Sequence, residues 1–257
     1  MEINFHKGVV FAFDKPYEWT SFGIVARMRR MISEKLGGEK IKVGHAGTLD
    51  PLATGVVIVC TGRGTRLIDE LQSGVKEYTA TLRLGATTPS FDLEHEIDAR
   101  FPTAHITLPL IESVLPRFVG EIMQVPPAFS ACKIEGKRAY DLARKGKEVE
   151  LKAKPLRIDT LELLSFDASE MLLTLRIVCS KGTYIRALAR DIGEALGSGA
   201  HLTALHRSRV GDFGIDDCYS FDTFAQMLDA AEVSTQVPEN QSISRQKAEV
   251  EYLHITK

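Results

Sequence analysis

The segment Gly44-His45-Ala46-Gly47-Thr48-Leu49-Asp50-Pro51-Leu52-Ala53-Thr54-Gly55 limits what this chain can fold into more than any other. It lies between a predicted strand, Lys40 to Val43, and an apolar one, Val56 to Cys60. Its glycines permit a tight turn and a close approach by a ligand. Pro51 biases Asp50 away from helical geometry and toward an extended conformation. The chain must therefore hold one carboxylate in a stiff loop at a strand end. Such a position suits catalysis, although an isolated Asp-Pro also suits a plain Asx-type turn.

The rest of the chain mixes strands and helices without strict alternation. Val9 to Asp14 reads as a buried strand. Thr20-Ser21 can cap a helix carrying Ile24, Val25, Met28, Met31 and Ile32, which Gly37-Gly38 stops. Thr65 to Leu71 reads as a short helix, and Lys76 to Leu84 alternates as a strand with Tyr78, Ala80, Leu82 and Leu84 on one side. Gly85 to Thr107 is an acid-rich polar loop, followed by a helix over Pro109 to Val119 that Pro116 interrupts. Tyr140 to Lys145 is expected to be helical, and Leu156 to Phe166 with Met171 to Cys179 to form a hairpin. Thr183 to Leu196 reads as a helix with Thr183 as a possible cap and Gly197 as its stop. His201 to Leu205 and Val210 to Phe213 read as two short extended pieces, and Phe221 to Ala230 as a last amphipathic helix. From Val233 the chain turns polar, and Gln236 to Gln246 reads as weakly ordered. This order predicts an α+β fold built on a mixed sheet.

Composition narrows the class. A 44% hydrophobic and 26% charged content is that of an ordinary globular protein. No apolar run approaches a membrane helix in length, and Val9 to Phe13 is too short for a secretory core. The four cysteines have neither metal-ligand nor redox spacing, so reduced thiols in a cytoplasmic protein are expected. The net charge of -2 argues mildly against a nucleic-acid partner. Its distribution softens that argument, because basic residues gather at Arg27, Arg29 and Arg30 and again from Lys133 through Lys154.

The Gly44–Gly55 segment resembles the catalytic motif of the TruB-type pseudouridine synthases. Further segments resemble the same family in the same order: Phe13-Asp14-Lys15-Pro16 with Trp19-Thr20-Ser21, Lys76-Glu77-Tyr78, and Pro126-Pro127-Ala128-Phe129-Ser130-Ala131. Gly136-Lys137-Arg138-Ala139-Tyr140, Cys179-Ser180-Lys181-Gly182-Thr183-Tyr184-Ile185-Arg186 and His201 through Arg207 complete the set. The resemblance implies a twisted mixed sheet with flanking helices, an active-site cleft and an inserted thumb at about 126–151. It implies isomerisation of a flipped-out uridine of the tRNA T-loop to pseudouridine, with no cofactor, no membrane and no obligate protein partner.

The resemblance also assigns roles. Asp50 is the catalytic carboxylate, Arg186 keeps it charged, and Tyr78 stacks on the base and can handle the C5 proton. Tyr184 and Leu205 line the base pocket, and His45 fills the gap left by base flipping. Lys15, counted with the substrate-binding residues, belongs to a motif that supports the catalytic loop. Lys133, Lys137 and Arg138, with Arg144, Lys145 and Lys147, form a phosphate-binding thumb, and Arg207 adds a further substrate contact. Leu205-His206-Arg207 departs from the family's Leu-Arg-Arg, so His206 stands where an arginine is expected.

The expected division is a catalytic domain over 1–215 and a short extension over 216–257 without regular strand pattern, in which a PUA-type RNA-binding domain is absent or vestigial. Two rivals are a guide-dependent synthase of the same superfamily and a non-catalytic RNA-binding or RNA-folding protein on the same scaffold. The short extension speaks against the first and Asp50 against the second.

Overall fold

The computed structural model describes residues 2–130, the backbone of 133–134 and 137–138, then 151–234, 236 and 250–253. Along the chain the main elements are β1 (Val9–Lys15), α1 (Ser21–Lys35), β2 (Val43–Ala46), β3 (Thr54–Thr61) and β4 (Lys76–Leu84). There follow α2 (Leu108–Val114), β5 (Gly120–Gln124), β6 (Lys154–Asp167), β7 (Leu172–Cys179), α3 (Ile185–Ala195), β8 (Ala200–Val210) and α4 (Phe221–Ala230). They fall into two compact units, Met1–Lys76 with Arg207–Lys257, and Glu77–His206.

In the first unit β1 pairs antiparallel with β3, and β2 pairs antiparallel with the other half of the hairpin, His45 opposite Val59. Cys218–Tyr219 and Glu251–Leu253 add to β1 in parallel, so the sheet is mixed. One face of β1 and β3 buries Val10, Ala12, Val56, Ile58 and Cys60 with Val210 and Phe213. On the other, Phe11 stacks on Phe224 of α4 at 4.9 Å and Phe13 packs on Phe221 at 4.7 Å. Each such ring pair adds about 0.5–1.5 kcal/mol beyond its burial. Helix α1 begins where Thr20 Oγ1 accepts the Gly23 N–H at 2.9 Å, and buries Ile24, Val25, Met28 and Ile32 at helical spacing.

In the second unit β4 keeps the predicted bounds and alternation. The predicted hairpin forms as β6 and β7, with β5 on the outer side of β6. Helix α2 ends at Val114, and Leu115–Phe118 continues as a 3-10 turn around Pro116.

Several expectations are corrected. The strand expected over Lys40 to Val43 lies at Val43–Ala46, because pairing with β3 rather than local propensity sets its register. His45 is therefore a strand residue. The piece expected over His201 to Leu205 extends as β8 through the polar stretch to Val210, and the piece expected over Val210 to Phe213 is instead a tight turn, after which Phe213–Gly214 pairs antiparallel with the end of β8. Thr183 does not cap α3. Its hydroxyl donates to the Ser180 carbonyl, and the helix starts one residue after Tyr184. The acid-rich loop carries paired strands Ala86–Thr87 and Ala99–Arg100, with Ser90 and Asp92 buried between them. The C-terminal segment contributes the strands Cys218–Tyr219, Glu232–Val233 and Glu251–Leu253 where no strand pattern was expected. Tyr140 to Lys145 and nearly all of Gln236 to Gln246 lie outside the described residues.

Candidate active site

With β2 ending at Ala46 and β3 starting at Thr54, the loop that carries Asp50 is seven residues long. Gly47 has φ +95° and Gly55 has φ +103°. A Cβ at Gly55 would lie 2.2 Å from the Arg207 carbonyl oxygen, so only glycine fits there. Asp50 occupies the first position of a turn closed by the Ala53 N–H on the Asp50 carbonyl at 3.1 Å. Pro51 fills the second position, where its fixed φ suits the turn.

The carbonyl oxygens from Gly47 to Pro51 all accept hydrogen bonds. Arg207 donates through Nη2 to Gly47 and through Nη1 to Thr48, both at 3.4 Å, and through Nε to Val56 at 2.7 Å. Ser21 Oγ donates to the Leu49 carbonyl at 3.1 Å and accepts the Leu49 N–H at 2.9 Å. The Pro51 carbonyl accepts from Lys15 Nζ at 2.9 Å and from the Glu18 N–H at 3.0 Å. Glu18 reaches it with φ +64°, a conformation uncommon outside glycine.

Lys15 is 0% exposed, and its ammonium also donates to the carbonyls of Pro16 and Trp19. Three donors meet three acceptors. Burial pulls its pKa down to about 8, while the negative charge of Asp50 works in the opposite sense. Arg207 is 2% exposed. Expected among the substrate-binding residues, it builds the loop from within, where backbone carbonyls engage its guanidinium. His45 is half-buried on β2, and burial holds its imidazole below the usual pKa. A neutral ring suits stacking.

In the second unit, Arg186 is the second residue of α3 and is 6% exposed. It donates to the carbonyls of Ser90 at 3.2 Å and Phe129 at 3.0 Å, and its Nε lies 3.6 Å from Asp92 Oδ2. Asp92 is held in turn by Ser90 Oγ at 2.5 Å and the Glu94 N–H at 3.0 Å. Between them Phe91 has φ +60°. Strain of this kind persists only where surrounding contacts over-determine it. Tyr184, at the N-cap of α3, is bracketed by Gln124. Its N–H donates to Gln124 Oε1 at 2.9 Å, and Gln124 Nε2 donates to its carbonyl at 3.2 Å. Tyr78 is buried on β4, and Leu205 is half-buried on β8. Beside Tyr78, Glu77 pairs with Arg176 at 2.8 Å.

Lys15 and Arg207 thus converge on the Asp50 loop, His45 lies on the strand that leads into it, and Tyr184 and Arg186 share one helix end. Lys133 and Lys137-Arg138 lie on the short antiparallel strands Lys133–Ile134 and Lys137–Arg138, while Arg144, Lys145 and Lys147 lie outside the described residues. Sequence reasoning missed Ser21, Asp92 and Gln124 as parts of this framework. The Thr88-Pro89-Ser90-Phe91-Asp92 spacing was a signal for a side-chain-bonded turn. Nothing local marked Gln124.

Two family descriptions match the chain: TruB family pseudouridylate synthase (N terminal domain) over residues 29–185, and tRNA pseudouridylate synthase B C-terminal domain over 186–246. The chain is 62% identical to a tRNA pseudouridine synthase B of Phocaeicola vulgatus, over 92% of this chain and 100% of the relative. It is 60% identical to the Bacteroides thetaiotaomicron protein of the same name, over 93% of this chain and 100% of the relative. Among solved structures it is similar to one described as a Cbf5-Nop10-Gar1 complex, with TM-score 0.64 and 29% identity, over 86% of this chain and 54% of the other. An H/ACA RNP bound to a substrate RNA containing 2'-deoxyuridine aligns with TM-score 0.61 and 27% identity, over 86% and 54%. The chain spans about half the length of these solved chains.

Proposed function

The chain belongs to the TruB family of pseudouridylate synthases, and we propose that it converts the T-loop uridine of tRNA, uridine-55, to pseudouridine with Asp50 as the catalytic carboxylate. The observation that carries this reading is the Asp50 loop, whose carbonyls from Gly47 to Pro51 are all bonded. A carboxylate on so fixed a backbone is pre-organised, and pre-organisation is what positional catalysis requires.

The reaction is an isomerisation. The N1–C1′ bond breaks, the uracil rotates, C5 bonds to C1′, the C5 proton is lost and N1 gains a proton. Asp50 acts at the ribose, as a nucleophile on C1′ or as a base toward a sugar proton. Tyr78 stacks on the base, and its hydroxyl is placed in the C5 proton transfer. Tyr184 and Leu205 line the base pocket. Arg186 supplies the positive charge that the family motif pairs with the carboxylate. His45 fills the stack that the flipped uridine leaves. Lys133, Lys137 and Arg138 bind phosphates. The enzyme works in the cytoplasm on tRNA, with no obligate protein partner. Among the described residues no helix is long and apolar enough to cross a membrane.

The test is tritium release from C5-tritiated tRNA without any guide RNA or added protein. Release by the wild type, lost in Asp50→Asn with tRNA binding kept, is the expected result. No release from tRNA alone would favour the guide-dependent or the non-catalytic reading.

A further inference from the structure

Helix α1 opens with two hydroxyl residues, and only the first serves the helix. Thr20 Oγ1 accepts the Gly23 N–H and closes the N-terminus. The hydroxyl of Ser21, the first helical residue, is thereby released for another partner. It turns inward, is 3% exposed, and bonds both backbone groups of Leu49, a residue 28 positions away.

We infer that Ser21 is a positioning residue for the reaction, setting the orientation of Asp50 through the backbone of Leu49. The inference rests on the assignment of Asp50 above. Between Ala46 and Thr54 the loop has no strand neighbour. Ser21 supplies at Leu49 the donor–acceptor pair that a neighbouring strand would have supplied. The Leu49 carbonyl belongs to the same peptide plane as the Asp50 nitrogen. Holding that carbonyl and the N–H before it fixes the plane from which the Asp50 side chain projects. On the far side, Lys15 Nζ and the Glu18 N–H hold the Pro51 carbonyl. Pro51 has no N–H to hold. Ser21 is therefore the residue that engages both backbone groups of a direct neighbour of Asp50. A single hydroxyl fulfils this because it can donate and accept at once.

The experiment compares Ser21→Ala, Ser21→Thr, Thr20→Ala and Asp50→Asn with the wild type. It measures single-turnover tritium release from tRNA, tRNA affinity and melting temperature. Ser21→Ala is expected to slow turnover about ten- to a hundredfold, the scale on which misplacement of reacting groups acts, with tRNA affinity within about twofold of wild type. Ser21→Thr keeps the hydroxyl and is expected to recover most of that loss. Thr20→Ala is expected to lower the melting temperature through the lost cap while the folded enzyme turns over at the wild-type rate. Ser21→Ala turning over like Thr20→Ala would overturn the inference. So would a parallel loss of affinity and rate, or a loss that Ser21→Thr does not relieve. Normal turnover by Asp50→Asn would instead remove the premise, whereas an inactive Asp50→Asn beside a fully active Ser21→Ala overturns the positioning role alone.

Discussion

The Asp50 loop and the Arg186 helix end solve opposite problems with opposite means. At Asp50 the framework holds the backbone: buried cations and a hydroxyl donate to the carbonyls of Gly47, Thr48, Leu49 and Pro51. At Arg186 it holds the head group itself, between the Ser90 and Phe129 carbonyls and the Asp92 carboxylate. The difference follows from side-chain length. A short aspartate is aimed by its Cα, so fixing the peptide planes fixes the carboxylate. A long arginine keeps its rotamers unless its guanidinium is gripped, and its planar fork offers several N–H groups to grip. Each region also carries one non-glycine residue at positive φ, Glu18 in the first and Phe91 in the second.

The largest expected effect tests the first region alone. Asp50→Asn keeps the shape and removes the charge, so single-turnover release should fall by about a thousandfold or more, with tRNA affinity near wild type. Normal turnover would leave the loop as scaffold without chemistry. The second test breaks the grip on Arg186. Asp92→Asn removes one carboxylate beside the buried guanidinium and should lower unfolding stability by about 1–3 kcal/mol. A denaturant midpoint unchanged from wild type would show that the pairing with Asp92 is incidental.

Lys15 sharpens the comparison through pH. Its folded pKa, about 8, lies below its ordinary value of 10.5. Between those values the unfolded chain binds more protons than the folded one, so this group's contribution to stability rises with pH there. Below about 8 both states are protonated, and the full cost of burying the charge remains. The wild type should therefore gain stability relative to Lys15→Met by about 1–3 kcal/mol from pH 8 to above pH 10.5. Denaturation curves at pH 7, 9 and 10.5 measure it, and a flat difference would refute the buried ammonium.

Smaller effects concern the substrate side. Tyr78→Phe should bind tRNA as the wild type does and lose only hydroxyl-dependent chemistry, whereas Tyr78→Leu should weaken capture of the base by about 1–3 kcal/mol. If the two variants bind and react alike, stacking is not the role of this ring. Replacing Lys133, Lys137 and Arg138 by alanine should flatten the salt dependence of tRNA binding by about one charge's worth of slope per lost phosphate contact. An unchanged slope would mean that these residues form only a solvated face.

Much of the scaffold was legible because its signals are local. The Thr20 cap, the spacing of Ile24, Val25, Met28 and Ile32, and the Gly37-Gly38 stop sit within one helix length. The alternation of β4 sits within nine residues. The polar run His206 to Arg209 hid the continuity of β8, because a buried arginine looks exposed until its carbonyl partners are known. Arg207 finds one of them, Val56, 151 residues earlier in the chain. The Gly85 to Thr107 segment misled for the same reason, since the Ser90 carbonyl meets Arg186 across 96 residues.

By itself the sequence determined the period of each strand and helix, the single carboxylate in a glycine-rich loop, and the family to which those motifs belong. These are properties of neighbouring residues, and short-range sterics and capping decide them. Only the tertiary structure decided that Lys15 and Arg207 are buried supports of the Asp50 loop, that Ser21 bonds Leu49, and that Asp92 and Gln124 hold Arg186 and Tyr184. A buried charge or amide is stable only with partners that satisfy it. Those partners come from distant parts of the chain, so no window of sequence contains both halves of the bond.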